Sequence, residues 1–218
     1  MVSHEVRRLR WMSAGFGVGS VLFATGAVLA TTRIDNVTNG VVYAVGAVLF
    51  TAAAGVQWAE AIGHHPRHPL RDADWLGAIV QLVGTVYFNV MTIRSVVQSM
   101  ALSEPDYSAI WRPDAIGSVL FLVSSWIAWH PVARRRRHHL LAGRSRLICV
   151  ANMLGSIFFG VSAVGAALDP DGHLLSPFWD NAGTFFGAIA FLVAALALWP
   201  RGDEAADTEV GSRRARSH

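Results

Sequence analysis

The chain has 218 residues, of which 53% are hydrophobic and only 15% charged, with a formal net charge of +3. A soluble domain carries about a quarter charged residues, whereas here the mean hydropathy is positive and the apolar residues come in blocks. This excludes a soluble domain of useful size. It leaves blocks of about 20 residues, which at ~1.5 Å per residue match the ~30 Å hydrocarbon layer of a bilayer.

Arg7, Arg8 and Arg10 precede an apolar run from Trp11 to Ala30. The basic head, the apolar core and Val28-Leu29-Ala30 imitate a signal peptide. The run also holds Gly19 and Phe23, a pairing that returns later in the chain, so it is read as helix one. After the turn formers Asn36, Asn39 and Gly40, helix two is predicted from Val41 to Ile62. A link rich in His, Pro and Arg leads to helix three, Trp75 to Val97. Pro113-Asp114 is predicted to open helix four, since proline suits the first turn and an acid there suits the dipole. Helix four ends at Trp129, His130 and Pro131. The basic loop Arg134 to His139, with Arg144 and Arg146 behind it, precedes helix five, Leu147 to Leu168. Asp169-Pro170-Asp171-Gly172 reads as a tight turn before helix six, Asn181 to Trp199. Residues 201–218 are polar with nothing to bury and are expected to be a disordered tail.

One figure recurs. Gly46, Phe50 and Trp58 are spaced by four and eight residues, as are Gly117, Phe121 and Trp129, and Gly187, Phe191 and Trp199; the copies begin 71 and 70 residues apart. A shorter figure, Gly19 with Phe23, Gly84 with Phe88 and Gly155 with Phe159, precedes each. The chain therefore reads as three tandem units, about 11–62, 75–131 and 147–199. Gly and Phe four apart share a helix face, so the glycine forms a notch beside the ring. In lipid, close approach at such small residues supplies contact energy between helices. Gly15 with Gly19 and Gly183 with Gly187 are further notches of this type. The expected fold is all-α: an integral membrane six-helix bundle in one domain, 1–200, of three tandem transmembrane hairpins around a pseudo-threefold axis.

The run Gly-Ser-apolar-apolar-Phe at Gly19 to Phe23, Gly117 to Phe121 and Gly155 to Phe159 resembles the YrhK-like family of small bacterial membrane domains. The resemblance spans most of the chain from Trp11 to Trp199. It implies a two-helix hairpin unit, here present three times, and brings neither an assigned activity nor functional residues.

Arginine sets the expected orientation, and every basic residue other than histidine is arginine. Fifteen arginines fall in the N-terminal arm, the second and fourth links and the tail, against Arg33 and Arg112 on the other face. The positive-inside rule then puts both termini in the cytoplasm of a bacterial cell membrane. Trp11, Trp58, Trp75, Trp129 and Trp199 all fall at predicted cytoplasmic ends as interface anchors, with Trp111 and Trp179 at the outer interface. The run Arg134, Arg135, Arg136 and Arg137 reads as an orientation signal touching anionic lipid heads; it lacks the interleaved aromatics of a nucleic-acid site.

Ionisable groups inside spans are the usual mark of function in membranes, and here they are sparse. Arg94, Asp114 and Glu60 read as snorkelling or helix-end groups. The outer acids Asp35, Glu104, Asp106, Asp169, Asp171 and Asp180 read chiefly as caps and turn formers, with a cation funnel as their other use. Gln81 and Asn152 each stand three residues before the glycine of an odd helix, and Asn89 follows Phe88. Together these three form the candidate intramembrane polar patch, for interhelical hydrogen bonds or for a solute. His64, His65, His68, His130, His138 and His139 match no closed metal site, and Cys149 reads as a packing residue. No catalytic constellation, cofactor motif or metal set is present, so the expected class is a non-catalytic structural or interaction component with membrane-protein partners. The alternative is a small-solute or ion channel along the centre of the ring. A wet centre lined by Gln81, Asn89 and Asn152 favours the second; a centre filled by Phe23, Phe88 and Phe159 favours the first.

Overall fold

The structure, a computed structural model, describes residues 4–32, 34–63, 70, 72–101, 106–134 and 141–200. Six helices account for nearly all of them: α1 (His4–Leu29), α2 (Asn36–Gly63), α3 (Ala73–Met100), α4 (Tyr107–Arg134), α5 (Leu141–Gly165) and α6 (Pro177–Leu198). All but α4 are long and apolar enough to cross a membrane. The six apolar spans expected are thus five on this measure. Helix α4 is as long as α2 and α3, at 28 residues, but carries Arg112, Pro113, Asp114, four serines and His130.

The starts of these helices are chemically marked. Asp35 Oδ1 accepts from the Thr38 N–H (2.8 Å), Asp72 Oδ1 from Trp75 N–H (2.9 Å) and Asp106 Oδ1 from Ala109 N–H (3.1 Å). Each carboxylate pairs an amide that the first turn leaves without an intrahelical acceptor. The Thr38 amide holds the Asp35 carboxyl below the usual carboxylate range, and the Ser108 hydroxyl does the same for Asp106. Ser176 caps α6 through Trp179 N–H. Between α5 and α6, Asp169 Oδ1 accepts from Asp171 and His173 N–H, and Gly172 turns the chain at φ 84°. That positive φ is open to glycine at no steric cost.

Helix four does not begin at Pro113. It begins six residues earlier, and Pro113 lies inside it. Proline has no N–H for the carbonyl four residues back, which is that of Ala109. Arg94 of α3 supplies the missing donor, its Nη1 lying 2.8 Å from Ala109 O. The helix therefore continues through the proline, and Asp114 stands two turns inside it, not at its start.

Side chains sort by size. The buried residues are mostly alanine, serine, glycine and phenylalanine, whereas Val18, Val21, Val45, Val48, Val86, Val119, Leu154 and Ile157 face outward. Apolar outside and small inside is the pattern of helices that pack closely within lipid. Each helix packs on its chain neighbours, and α1 also packs on α6. Within each hairpin the glycine and phenylalanine figures engage reciprocally. Gly19 lies under the Phe50 ring and Gly46 under Phe23; Gly84 pairs with Phe121, Gly117 with Phe88, Gly155 with Phe191 and Gly187 with Phe159. The ring filling each notch thus comes from the partner helix, not from the same helix face.

Arg144 lies in α5, not in a loop. Its Nε donates to Ala197 O (2.6 Å), and its Nη2 to Leu198 O (3.0 Å) and Trp199 O (2.9 Å). It satisfies the last carbonyls of α6 and opposes that end of its dipole. Arg8 pairs with Glu60 at 2.7 Å, tying the start of α1 to the end of α2.

Replacing Arg144 by Met is expected to lower stability by about 1–2 kcal/mol, since charged donors to end carbonyls contribute on that scale. A thermal melt of the purified protein in detergent checks this. Gly183→Ala is expected to cost more: the new methyl would stand 2.6 Å from Phe158 O and 2.7 Å from Ser162 N, both backbone atoms. Overpacking of this kind costs about 1–3 kcal/mol. Gly55→Ala, with nothing within 4 Å, is the control and is expected to hold or raise the melting temperature.

Candidate functional site

The interior has two zones along its length. At its middle, six phenylalanines, one from each helix, are all at most 5% exposed. Phe23, Phe88 and Phe159 form a triangle with ring centroids 5.5 to 6.4 Å apart. Phe191 lies 5.9 Å from Phe50 and 5.7 Å from Phe121 in a second layer, and Phe159 touches it at 5.3 Å. Most of these contacts are edge-to-face, which adds about 0.5–1.5 kcal/mol per pair beyond burial.

Beyond the Phe23–Phe88–Phe159 layer, toward the ends joined by residues 30–35, 101–106 and 166–176, lies a cavity of about 290 Å³. Those three rings form its floor. Tyr43, Asp114 and Thr184 line it from α2, α4 and α6, each standing three residues before the glycine of its helix. Thr92, Ser95 and Ser162 line it from α3 and α5, and Asp180, Asn181, Trp111 and Ala166 are also in the wall. Trp111 is expected at the outer interface, but its indole turns inward and donates to Ala163 O at 2.7 Å.

The two carboxylates differ. Ser162 Oγ lies 2.7 Å from Asp180 O, 3.2 Å from Asp180 Oδ1 and 2.7 Å from Thr184 Oγ1, so Asp180 sits in a polar chain. The Asp114 carboxylate accepts no hydrogen bond from any described residue, and it lines the cavity. Asp180 belongs to the first turn of α6, where Ser176 is the cap, and it also faces this space. Asp114 carries no cap.

The patch expected from Gln81, Asn89 and Asn152 is not assembled as one site: no hydrogen bond joins the three among the described residues, and none lines the cavity. Asn89 Nδ2 reaches Thr51 Oγ1, Ala47 O (3.2 Å) and Thr85 O (2.9 Å), binding α3 to α2. Gln81 Oε1 lies 3.4 Å from Ser124 Oγ, whose hydroxyl is 2.8 Å from Gly77 O. The Asn152 carbonyl accepts from Ser156, which also reaches Ser125 and Phe121 O across the α4–α5 contact.

Of the interface anchors, Trp11 and Trp199 are exposed, whereas Trp58, Trp75 and Trp129 are half-buried. Cys149 is half-buried, its sulfur 3.7 Å from Ala128 O. His64, His65, His68, His138, His139, Arg135, Arg136, Arg137 and the tail lie outside the described residues, as does the side chain of Arg134. Among the described residues no group of three His, Cys, Asp or Glu could hold a metal.

Sequence reasoning missed Asp114 as a site residue because Pro113 looks like a helix start. The available signal was its register, three before Gly117, matching Tyr43 and Thr184. Compared with family models, with curated proteins and with solved structures, the chain matches none.

Proposed function

We propose that the chain is a multi-pass membrane protein of six spans, a closed bundle of three related hairpins with both termini cytoplasmic. In this reading it is a non-catalytic, non-conducting structural or interaction component of a bacterial cell membrane. The observation that carries the reading is the double phenylalanine layer: six buried rings occupy the centre that a solute path would need. The arginine asymmetry supports the orientation. The polar groups at and below the plug serve helix contacts, which suits a packed bundle more than a conduit. The run from Arg134 to Arg137 then lies against anionic lipid heads, and partners are other membrane proteins meeting the apolar exterior. The likeness of Gly-Ser-apolar-apolar-Phe to YrhK-like hairpins agrees with a hairpin unit and adds no activity.

Cysteine accessibility tests this. In a Cys149→Ser background, single cysteines at Ser95, above the plug, and at Gln81 and Asn152, below it, are treated in intact cells with a membrane-impermeant thiol reagent. Ser95→Cys is expected to react from outside, and Gln81→Cys and Asn152→Cys at least tenfold more slowly. Reaction of all three from outside at similar rates would mean a continuous wet path, and the channel reading would replace this one.

A further inference from the structure

We propose that the cavity above the phenylalanine layer is a binding site for a small organic ammonium cation with an apolar body. The site goes beyond the structural role proposed above and does not depend on which side of the membrane it faces. Two carboxylates, Asp114 and Asp180, face one cavity of about 290 Å³, and among the described residues no arginine or histidine lines it. Two nearby cations among the described residues are directed elsewhere. Arg94 is spent on the Ala109 carbonyl, and Arg112, two residues from Asp114, is exposed and outside the lining.

A carboxylate set deep among helices with no hydrogen-bond donor is costly unless a cation meets it. Asp114 is in that position, because Pro113 carries it inward and Arg94 keeps the helix intact around it. Asp180 already has Ser162, so it adds field while Asp114 is the group left to pair. The remaining walls decide the class of cation. Phe23, Phe88 and Phe159 form an aromatic floor, and Tyr43 and Trp111 add ring surface at the side. Aromatic faces attract ammonium groups and cover apolar carbon, and among the described residues no group of three His, Cys, Asp or Glu could hold a metal ion. The volume is near the ~300 Å³ lower bound of small-molecule pockets, which limits the ligand to a single ring or a short chain.

The test uses the full chain purified in detergent and three probes of one shape: phenethylammonium, neutral 2-phenylethanol and anionic 3-phenylpropionate. Thermal shift and calorimetric titration are expected to give saturable binding of phenethylammonium alone. Asp114→Asn, nearly isosteric, is expected to weaken it at least tenfold. Ala166→Leu, which adds bulk in the cavity and keeps both acids, is expected to weaken it as much and decides the matter if Asp114→Asn fails to fold. Absence of saturable binding, equal binding of 2-phenylethanol, or unchanged affinity in Ala166→Leu would overturn the proposal, as would unchanged affinity in a folded Asp114→Asn protein.

Discussion

A phenylalanine ring seated in the notch left by a glycine on the antiparallel neighbour is the contact on which the rest of the interior depends. It is made twice in each hairpin, once from either helix, and the six rings meet at the centre. In lipid there is no hydrophobic drive to bring helices together, so the energy comes from close contact and from ring edges on ring faces. The notch is not adjustable. At Gly84 a methyl would come within 2.8 Å of Phe121, and at Gly155 within 2.9 Å of Phe191, so each glycine sets the depth at which the opposing ring lies. Helix register, hairpin by hairpin, follows from that depth.

With the rings fixed at one level, the residues one turn above them are brought to face one another. Tyr43, Asp114 and Thr184 occupy matching positions before their glycines, and the cavity lies between them. The same level on the odd helices is occupied by small or polar residues such as Ser162 and Thr92, leaving room that phenylalanine fills below. A packed layer and an open chamber are thus two consequences of one register. Serine and asparagine side chains then link one hairpin to the next, as Asn89 does from α3 to Ala47 of α2 and Ser13 does from α1 to Ala195 O at 2.6 Å.

Arginine has three distinct duties, which its count does not separate. Arg94 satisfies a carbonyl released by proline, Arg144 closes the end of α6, and Arg8 pairs with Glu60 between α1 and α2. The first two act on backbone oxygens that would otherwise lie unsatisfied beside apolar surroundings, where such groups are costly. Asp114 can occupy an inward position because Arg94 tolerates Pro113. The chemistry of the chamber therefore rests on a backbone repair made by the neighbouring helix.

By itself the sequence determined the helical class, the apolar segments, the caps at Asp35 and Asp106 and the turn at Gly172, because each depends on near neighbours in the chain. It also determined that Gly and Phe four apart share a face. Tertiary structure decided which ring enters which notch, since Phe50 and Gly19 meet only through the antiparallel register of two helices. It decided that Asn89 and Gln81 meet different helices, Asn89 donating to Ala47 O of α2 and Gln81 accepting from Ser124 of α4, while the Asn152 carbonyl accepts from Ser156 of its own helix. It decided the place of Asp114 as well. Local rules make Pro113 a helix start, and only a guanidinium from α3, 19 residues upstream of the proline, lets the helix run through it. The chamber is space left between side chains from six helices, and no spacing along one helix records such a space.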